Sequence, residues 1–255
     1  MGLLGPPLNR PPQRIVSLVP SLTETIDYLS EKEIIVGRTR FCIHPSSIKN
    51  IAQIGGTKNP NIDRIHNLNP DLIIANKEEN RKEDIALLAN RYPVWLSEIS
   101  DYKSMIKDMD EMGRVIQESI NAQKLIEAMA AGRSSIKKDK THRVAYFIWK
   151  DPWMTVGADT YIHDTLNACG LINVFSDKMR YPEVSLSELK DRNPDFVLLS
   201  SEPFPFKKKH IKEISVNLPS TRTILVDGEM FSWYGSRYLK AIDYFKELTS
   251  RMSTL

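Results

Sequence analysis

The longest regular pattern of apolar and polar positions runs from residue 101 to residue 137. Apolar side chains recur there three or four residues apart, and Lys, Asp, Glu and Gln fill the positions between them. No proline interrupts the stretch, Ser100 or Asp101 can cap its start, and Gly113 and Gly132 lower helix propensity without ending the pattern. The pattern predicts one long helix, roughly 50 Å at about 1.5 Å per residue. Such a helix can brace two lobes, although a long surface helix of one domain gives the same pattern.

An internal repeat lies on the two sides of this predicted helix. Residues 62–75 align without gaps with residues 186–199, and each copy has a short amphipathic stretch, an Asn-Pro-Asp break and a wholly apolar run. Proline ends a helix because it lacks the N–H group and restricts the residue before it. A wholly apolar run suits a strand that is buried on both faces of a parallel sheet. The repeat therefore predicts two related α/β lobes.

Other segments complete each lobe in α/β order. Residues 15–19 read as a buried strand that leads into a helix start, with Ser21 and Glu24 at capping-box spacing. Residues 143–149 and 223–226 read as further strands. The predicted fold class is α/β, with two Rossmann-like lobes that contain parallel sheets and are joined by a single long backbone helix. The predicted division is a flexible proline-rich arm at 1–13, an N-terminal lobe at 14–100, the backbone helix at 101–137 and a C-terminal lobe at 138–255.

Composition and charge narrow the functional classes. The chain has 255 residues, a net charge of +3, 41% hydrophobic residues and 26% charged residues, which is ordinary for a globular protein. The basic residues are spread along the chain, so a nucleic-acid partner is not expected. No stretch reaches the roughly 18 apolar residues of a membrane span. The beginning of the sequence shows no export signal. Cys42 and Cys169 lie on opposite sides of the long helix, so no disulfide between them is expected.

The loops that follow the predicted strands are the expected place for a ligand, because ligands of open parallel sheets bind beyond the carboxyl ends of the strands. Two facing lobes would place these loops around a shared cleft. Aromatic residues concentrate in the loops and predict a large flat or apolar ligand, with core packing as the other interpretation of each ring. These aromatic residues are Phe41, Trp153, Phe231, Trp233 and Tyr234.

Signatures of enzymes and metal sites are sparse. The sequence has no Gly-x-Gly-x-x-Gly turn, no phosphate-binding loop and no Gly-x-Ser-x-Gly elbow. Its five histidines form no i,i+4 pair and no cluster with carboxylates, so a preformed metal site is not expected. We therefore expect no catalytic residues and no resident cofactor. His44, the histidine of a cleft loop, could coordinate a metal held within a ligand or simply form a hydrogen bond in its loop.

Several segments, taken together in their order and spacing, resemble a known family. They are Arg14–Ser21 with Thr23-Glu24, Asn61–Ile65 with Asn69–Leu72, Thr155–Gly157, Cys169–Phe175 and Pro182–Ser185. The chain is similar to the substrate-binding proteins of ABC importers that carry a helical backbone between two lobes. That class receives cobalamin, iron-siderophores and haem, and the resemblance is closest to the cobalamin-binding members. It spans nearly all of residues 14–250.

The resemblance implies a binding protein that captures a metal chelate, most simply cobalamin or another corrinoid, in the cleft between the lobes. It also implies that acidic residues on each lobe, Asp63 and Glu188, dock onto the membrane permease subunits of an importer. The protein is expected to be a monomer that lies in the periplasm or at the cell surface, with a cytoplasmic location as the alternative. The ligand-binding residues expected from the loops and the resemblance are Arg40, Phe41, His44, Thr57, Lys58, Trp153, Met154, Phe231, Trp233 and Tyr234.

Departures from the cobalamin-binding pattern leave other interpretations open. Thr57 and Asn76 stand where those members carry tryptophans, and the cysteine that could pair with Cys169 is absent. An iron-siderophore or haem receptor is one alternative, since cleft bases could hold an anionic ligand. A tetrapyrrole metal chelatase that uses His44 with Glu202 or Glu229 is another, and a cytoplasmic corrinoid or haem carrier is the third. The cleft bases are Arg38, Arg40, Lys58, Lys77 and Arg237.

Overall fold

The computed structural model describes residues 2–138 and 141–254, and the chain divides into two compact units. Each unit is built on its own sheet with parallel strands and flanking helices, so the predicted α/β class is confirmed. Unit 1 comprises the chain up to Ile99, Lys103–Met129 and Tyr234–Arg237. Unit 2 comprises Ser100–Tyr102, Ala130–Trp233 and the chain from Tyr238 onward.

Unit 1 contains a six-stranded sheet whose strands run in the order β1-β6-β5-β2-β3-β4. The strands are β1 (Gly2–Leu4), β2 (Ile15–Ser17), β3 (Ile35–Arg38), β4 (Ala52–Gln53), β5 (Leu72–Asn76) and β6 (Val94–Ser97). All neighbours are parallel except β1, which pairs antiparallel with β6. The first helices of the chain are α1 (Pro20–Leu29), α2 (Ile62–Leu68), α3 (Lys82–Ala89), α4 (Tyr102–Val115) and α5 (Ser119–Ser134).

Unit 2 contains a five-stranded sheet in which β7 pairs with β10, β8 and β9. The strands are β7 (His142–Trp149), β8 (Met154–Thr155), β9 (Leu171–Asn173), β10 (Phe196–Ser200) and β11 (Arg222–Val226). The later helices are α6 (Tyr161–Ala168), α7 (Leu186–Arg192), α8 (Lys208–Asn217), α9 (Gly228–Ser232) and α10 (Arg237–Thr254). Among the residues described, none of the helices is both long and apolar enough to cross a membrane.

The segment predicted as one long helix consists of two helices, α4 and α5, which corrects the prediction of a single uninterrupted helix over 101–137. The N–H of Glu118 donates to the carbonyl of Gly113 at 2.7 Å, and Gln117 has a left-handed φ of 60°. This is the hydrogen-bond pattern that ends many helices, although glycine usually occupies the left-handed position. A Cβ at Gly113 would collide with that of Ala122, so the glycine lets α5 pass close to α4.

The proline-rich arm contributes a strand, which corrects the prediction that all of residues 1–13 are loosely held. Gly2, Leu3 and Leu4 pair with Leu96, Trp95 and Val94 of β6. Gly5 has a φ of 78°, and a Cβ there would lie 2.6 Å from the carbonyl oxygen of Tyr92, so the chain passes too close to this carbonyl for a larger residue. The arm therefore covers one edge of the unit 1 sheet.

The repeat predicted from the sequence has matching geometry in the two units. Helices α2 and α7 each end at an asparagine in the left-handed conformation, Asn69 with φ 45° and Asn193 with φ 46°. Strands β5 and β10, which follow, are buried throughout.

The aspartate of each Asn-Pro-Asp break joins its copy to the strand beside it. A carboxylate oxygen of Asp71 accepts the backbone N–H of Arg14 at 2.9 Å, and one of Asp195 accepts that of Arg143 at 2.7 Å. The guanidinium groups of Arg14 and Arg143 donate to the carbonyl at the end of α2 and α7, each at 2.7 Å. The repeated unit therefore includes strands β2 and β7, which the sequence alignment of the two copies did not cover.

Candidate functional site

The turns that follow β5 and β10 have related geometry at the carboxyl ends of the two sheets. The side chain of Asn76 accepts the backbone N–H of Glu78 at 2.8 Å, and the hydroxyl of Ser200 accepts that of Glu202 at 3.4 Å. Carboxyl ends of parallel strands are where small molecules bind in open α/β sheets. Each unit therefore has its own set of predicted site residues at this end of its sheet.

In unit 1, Arg40 and Phe41 form an exposed cation–π pair after β3. The guanidinium carbon of Arg40 lies 4.8 Å from the centroid of the Phe41 ring, which is 47% exposed. The N–H of Arg40 donates to the carbonyl of Gly55 at 2.8 Å, so this loop is tied to the following one. Gly56 lies beside the Phe41 ring, since a Cβ added to this glycine would be 3.4 Å from the ring. These contacts hold an aromatic face at the surface on a defined backbone.

Thr57 and Lys58 lie in the same region of unit 1. The carbonyl of Thr57 accepts from the side-chain amide of Asn80 at 3.0 Å, and the ammonium of Lys58 donates to the carbonyl of Glu78 at 2.7 Å. The loop after β4, which carries Thr57 and Lys58, is thus joined to the turn after β5. His44 lies close to this group in the sequence and is half-buried.

Tyr234 also belongs to unit 1, although the residues on both sides of 234–237 belong to unit 2. Its ring is buried, and its hydroxyl donates to a carboxylate oxygen of Glu79 at 3.0 Å. The next residues contact helix α1, where the N–H of Ser236 donates to the hydroxyl of Thr25 at 3.0 Å. Tyr234 therefore positions the turn after β5 more than it offers a free surface.

Most of the cations considered for an anionic ligand already have protein partners. Arg38 is buried, and its guanidinium donates to the backbone carbonyls of Ile48 and Lys49 at 2.6 and 2.7 Å. Arg237 is also buried and forms an ion pair with Glu24 at 2.8 Å. Lys77 pairs with Glu98. Arg38 and Arg237 therefore have structural roles, which corrects their interpretation as ligand-binding bases, whereas the side chain of Lys77 stays 58% exposed in its ion pair.

In unit 2, Phe231 belongs to the core, which corrects its prediction as a ligand contact. The ring is fully buried, with its centroid 5.1 Å from that of Tyr146 and 5.0 Å from that of Phe245. A buried aromatic ring gains more from these contacts and from its removal from water than it would at an exposed position. The sequence could not distinguish this ring from its exposed neighbours, because the short helix α9 turns one side inward.

Trp233 is also mostly covered, at 8% exposure. Its indole N–H donates to Glu202 Oε1 at 2.9 Å, and the hydroxyl of Ser232 donates to the same oxygen at 2.7 Å. Burial raises the pKa of Glu202, while these two hydrogen bonds act in the opposite direction. Glu202 thus joins the turn after β10 to the end of α9.

Trp153 and Met154 lie between core and surface. The Trp153 ring stacks on Phe206, with centroids 5.8 Å apart and an interplanar angle of 11°, and meets the edge of Phe147 at 5.2 Å. Met154 is half-buried in β8 beside the central strand. Both residues therefore support the loop after β7, and each keeps part of its surface accessible.

Trp149, the last residue of β7, is not among the ligand contacts predicted from the sequence. Its side chain is 40% exposed, and its ring contacts Phe204 with centroids 5.6 Å apart. The strand pattern assigned this tryptophan to the buried sheet. Its place at the very end of a strand, directly before the Lys-Asp-Pro sequence, is the signal that could have revealed it.

The two acidic residues considered for docking have different surroundings. Asp63 is exposed in the first turn of α2. Glu188 occupies the equivalent turn of α7, where one carboxylate oxygen lies 3.0 Å from the ammonium of Lys178 and 3.1 Å from the guanidinium of Arg192. Within the described part of the chain, no cluster of three or more histidine, cysteine, aspartate or glutamate residues could hold a metal ion.

Comparisons with known proteins agree on the type of protein. The family model described as "Periplasmic binding protein" matches residues 15–218. The uncharacterized ABC transporter substrate-binding lipoprotein YvrC of Bacillus subtilis is 23% identical over 203 residues, which cover 75% of this chain and 64% of that protein. The vitamin B12-binding protein of Vibrio campbellii is 23% identical over 198 residues, covering 75% of this chain and 72% of that protein.

Structural similarity extends over almost the whole chain. The crystal structure of the periplasmic vitamin B12-binding protein BtuF of Vibrio cholerae superimposes with a TM-score of 0.80 at 18% identity, covering 96% of this chain and 99% of the other. The two relatives and BtuF are binding and transport proteins and not enzymes, which agrees with the prediction from the sequence that this chain is not an enzyme. Since the family model matches most of its length, the chain belongs to the periplasmic binding protein family.

Proposed function

We propose that this protein is the substrate-binding component of an ABC importer and that it captures a corrinoid. The names of its relatives, an ABC transporter substrate-binding lipoprotein and a vitamin B12-binding protein, support both parts of the proposal. The ligand is cargo, and the protein captures and delivers it without chemical change. The location of the ligand in a cleft between the lobes stays a prediction from the sequence.

The pairing of the cations is the observation that carries the choice of ligand. Haem has two carboxylates and many siderophores are anionic, so receptors for them need cations that are free to pair with the ligand. Here Arg38, Lys77 and Arg237 are bonded to carbonyls or carboxylates of unit 1, and Lys58 donates to the carbonyl of Glu78. Of the five bases, Arg40 is the one whose guanidinium lies exposed over an aromatic ring, that of Phe41. Aromatic surface, in contrast, is exposed at Phe41. A corrinoid with neutral amide side chains matches this combination better than a carboxylate-bearing ligand does.

The proposed partners are the membrane permease subunits of the importer, and Asp63 and Glu188 are the proposed docking residues. Each lies in the first turn of one copy of the repeat, although the gapless alignment matches Asp63 with Ser187 and Glu188 with Arg64, so the two carboxylates are one position apart. Charge pairing of this kind favours the rate and register of association. We propose that the protein acts as a monomer outside the cytoplasmic membrane, in keeping with the family to which it belongs.

A titration of the purified protein with cyanocobalamin tests the function. Tryptophan fluorescence is followed with haem and a ferric siderophore as competitors, and serum albumin is the control for nonspecific quenching. We expect stoichiometric, saturable binding of cyanocobalamin that neither competitor displaces. Binding of an iron chelate without binding of cyanocobalamin would contradict the corrinoid assignment, and binding of none of the three would contradict the proposed cargo class.

A further inference from the structure

The exposed face of Trp149 is the feature of unit 2 that the proposed function leaves unexplained. Trp149 ends β7, the strand that pairs with three others in the unit 2 sheet, and is 40% exposed. The other tryptophans are better covered, since Trp95 is 4% exposed, Trp233 is 8% exposed and Trp153 is half-buried. A large aromatic side chain left partly in water at the carboxyl end of a central parallel strand is suited to contact a ligand.

Aromatic residues pack against the Trp149 ring and against one another. The Phe204 ring meets the Trp149 ring nearly edge-on at an interplanar angle of 69°. Phe204 in turn contacts Phe206 at 4.8 Å and His210 at 5.4 Å between ring centroids. Because Phe204 packs against the buried cluster of unit 2, the indole rests on the core. The support restricts its motion and leaves the remaining surface accessible.

The loop that carries Phe204 is fixed at two points. The N–H of Phe204 donates to the carbonyl of Ile148, the residue before Trp149, at 3.2 Å. At the start of the loop, Glu202 accepts hydrogen bonds from Ser232 and Trp233. The aromatic surface is therefore ordered before a ligand arrives, which lowers the entropic cost of binding.

Lys150, the residue after Trp149, already has an acidic partner. The ammonium of Lys150 lies 3.0 Å from a carboxylate oxygen of Glu213 and 5.4 Å from the centroid of the Trp153 ring. An anionic group would have to compete with Glu213 for this cation. Lys150 therefore does not by itself make this surface selective for anions, and stacking on the indole is the contact that a conjugated ring can make there.

We propose that Trp149, supported by Phe204, is a ligand-stacking residue that selects cargo with a flat conjugated ring over chelates that lack one. This inference rests on the proposed function and adds a specificity-determining residue to it. A corrin ring or a porphyrin provides such a face, whereas a ferric trihydroxamate does not. The conjugated ring of the ligand, and not its metal, is thus the group that unit 2 recognises.

The test compares Trp149→Ala and Trp149→Phe with the unchanged protein, using calorimetric titration because tryptophan fluorescence itself changes in these variants. Cyanocobalamin, haemin and a ferric trihydroxamate are the probes. Tyr28→Ala is the matched control, since Tyr28 lies on α1 and is 54% exposed. Thermal unfolding of each variant shows whether the fold is kept.

Cyanocobalamin and haemin are the planar probes, because each carries a conjugated ring. We expect Trp149→Ala to weaken binding of a planar probe by about tenfold or more, and Trp149→Phe to retain most of the affinity. Tyr28→Ala should leave the affinity unchanged. A planar probe that binds the unchanged protein and Trp149→Ala equally well overturns the inference and leaves the proposed function intact. Binding of the trihydroxamate alone also overturns the inference. Failure of all three probes to bind the unchanged protein overturns the proposed function together with it.

Discussion

At the scale of single residues, Asp108 is the clearest case of an ionisable side chain whose burial changes its protonation. It lies on α4 in the core of unit 1 and is fully buried. Burial raises the pKa of its carboxyl from 3.8 to about 7, while the nearby side chain of Ser97 acts in the opposite direction. The folded protein therefore keeps a proton on Asp108 over a pH range in which the unfolded chain releases it.

The sign of this pKa shift predicts how stability depends on pH. The contribution of protonated Asp108 to the free energy of unfolding is fully present below about pH 4. As the pH rises to about 7, this contribution is lost, by up to about 1.4 kcal/mol per pH unit. Asp108→Asn should remove this dependence and be more stable than the unchanged protein at pH 8. Urea unfolding at a series of pH values measures the difference.

Asp110→Asn is the matched control for Asp108, since Asp110 lies on the same helix in an exposed ion pair with Arg114. It should leave the pH profile of the unfolding free energy almost unchanged. A profile that is the same for Asp108→Asn and for the unchanged protein would contradict the buried, protonated state of Asp108.

At the scale of elements, the break between α4 and α5 depends on a left-handed residue that is not glycine. Gln117 has a φ of 60°, which costs a residue with a Cβ about 1 kcal/mol relative to glycine. Gln117→Gly should therefore raise the free energy of unfolding by about 1 kcal/mol. Chemical unfolding of the whole chain measures this change.

Gln123→Gly supplies the same substitution at an exposed position inside α5. There the glycine should lower the free energy of unfolding by about 1 kcal/mol, because it adds freedom to the unfolded chain without relieving any strain. If both substitutions lowered stability equally, residues 116–118 would be helical in solution, and the single long helix first predicted would be correct.

The repeated aspartates make a second prediction at this scale. Asp71 accepts backbone N–H groups from Gln13 and Arg14, and Asp195 accepts that of Arg143. Asp71→Ala and Asp195→Ala should each lower the free energy of unfolding by about 1 kcal/mol, since each removes a charged acceptor from a backbone N–H at an exposed site, where water can partly replace it.

Asp191→Ala is the control for the two repeated aspartates, because Asp191 is exposed on α7 next to the Asn-Pro-Asp break. Its removal should change the unfolding free energy by less than about 0.5 kcal/mol. Equal effects of all three substitutions in thermal unfolding would show that the hydrogen bonds of the repeat are not what holds β2 and β7 in register.

At the scale of the whole molecule, the proposed docking residues separate ligand capture from delivery. Asp63→Lys and Glu188→Lys should leave ligand affinity unchanged and impair uptake through the importer, because they reverse the charges that the permease would meet. Ligand titration and transport into reconstituted vesicles measure the two properties. Glu188→Lys should also lower the melting temperature more than Asp63→Lys does, since Glu188 contacts Lys178 and Arg192.

Glu83→Lys makes the same charge reversal on the exposed surface of α3 and serves as the control for docking. It should leave both affinity and uptake as they are. Normal uptake by the Asp63→Lys, Glu188→Lys double variant would refute the docking role, whatever its ligand affinity.

The candidate site shows where reasoning from sequence reached its limit. The aromatic residues of the loops after the strands were identified from their positions, yet Phe231 is in the core and Trp149 is exposed. A sequence pattern gives the loop to which a ring belongs but not the side of the loop that faces water. Arg237 illustrates the same limit, because its partner Glu24 lies 213 residues away in the sequence.

The sequence by itself determined the α/β class and the two related modules. These features depend on the spacing of apolar residues, on proline and on the Asn-Pro-Asp breaks, all of which act within a few residues of the chain. Only the tertiary structure decided that Gly2–Leu4 pairs with β6, that the long helix divides at Gln117, and which loop side chains are buried. The pairing of Gly2–Leu4 with β6 and the burial of the loop side chains depend on contacts between segments far apart in the sequence. The division at Gln117 depends on how α5 packs against α4 at Gly113, and hydrophobic periodicity carries no information about either.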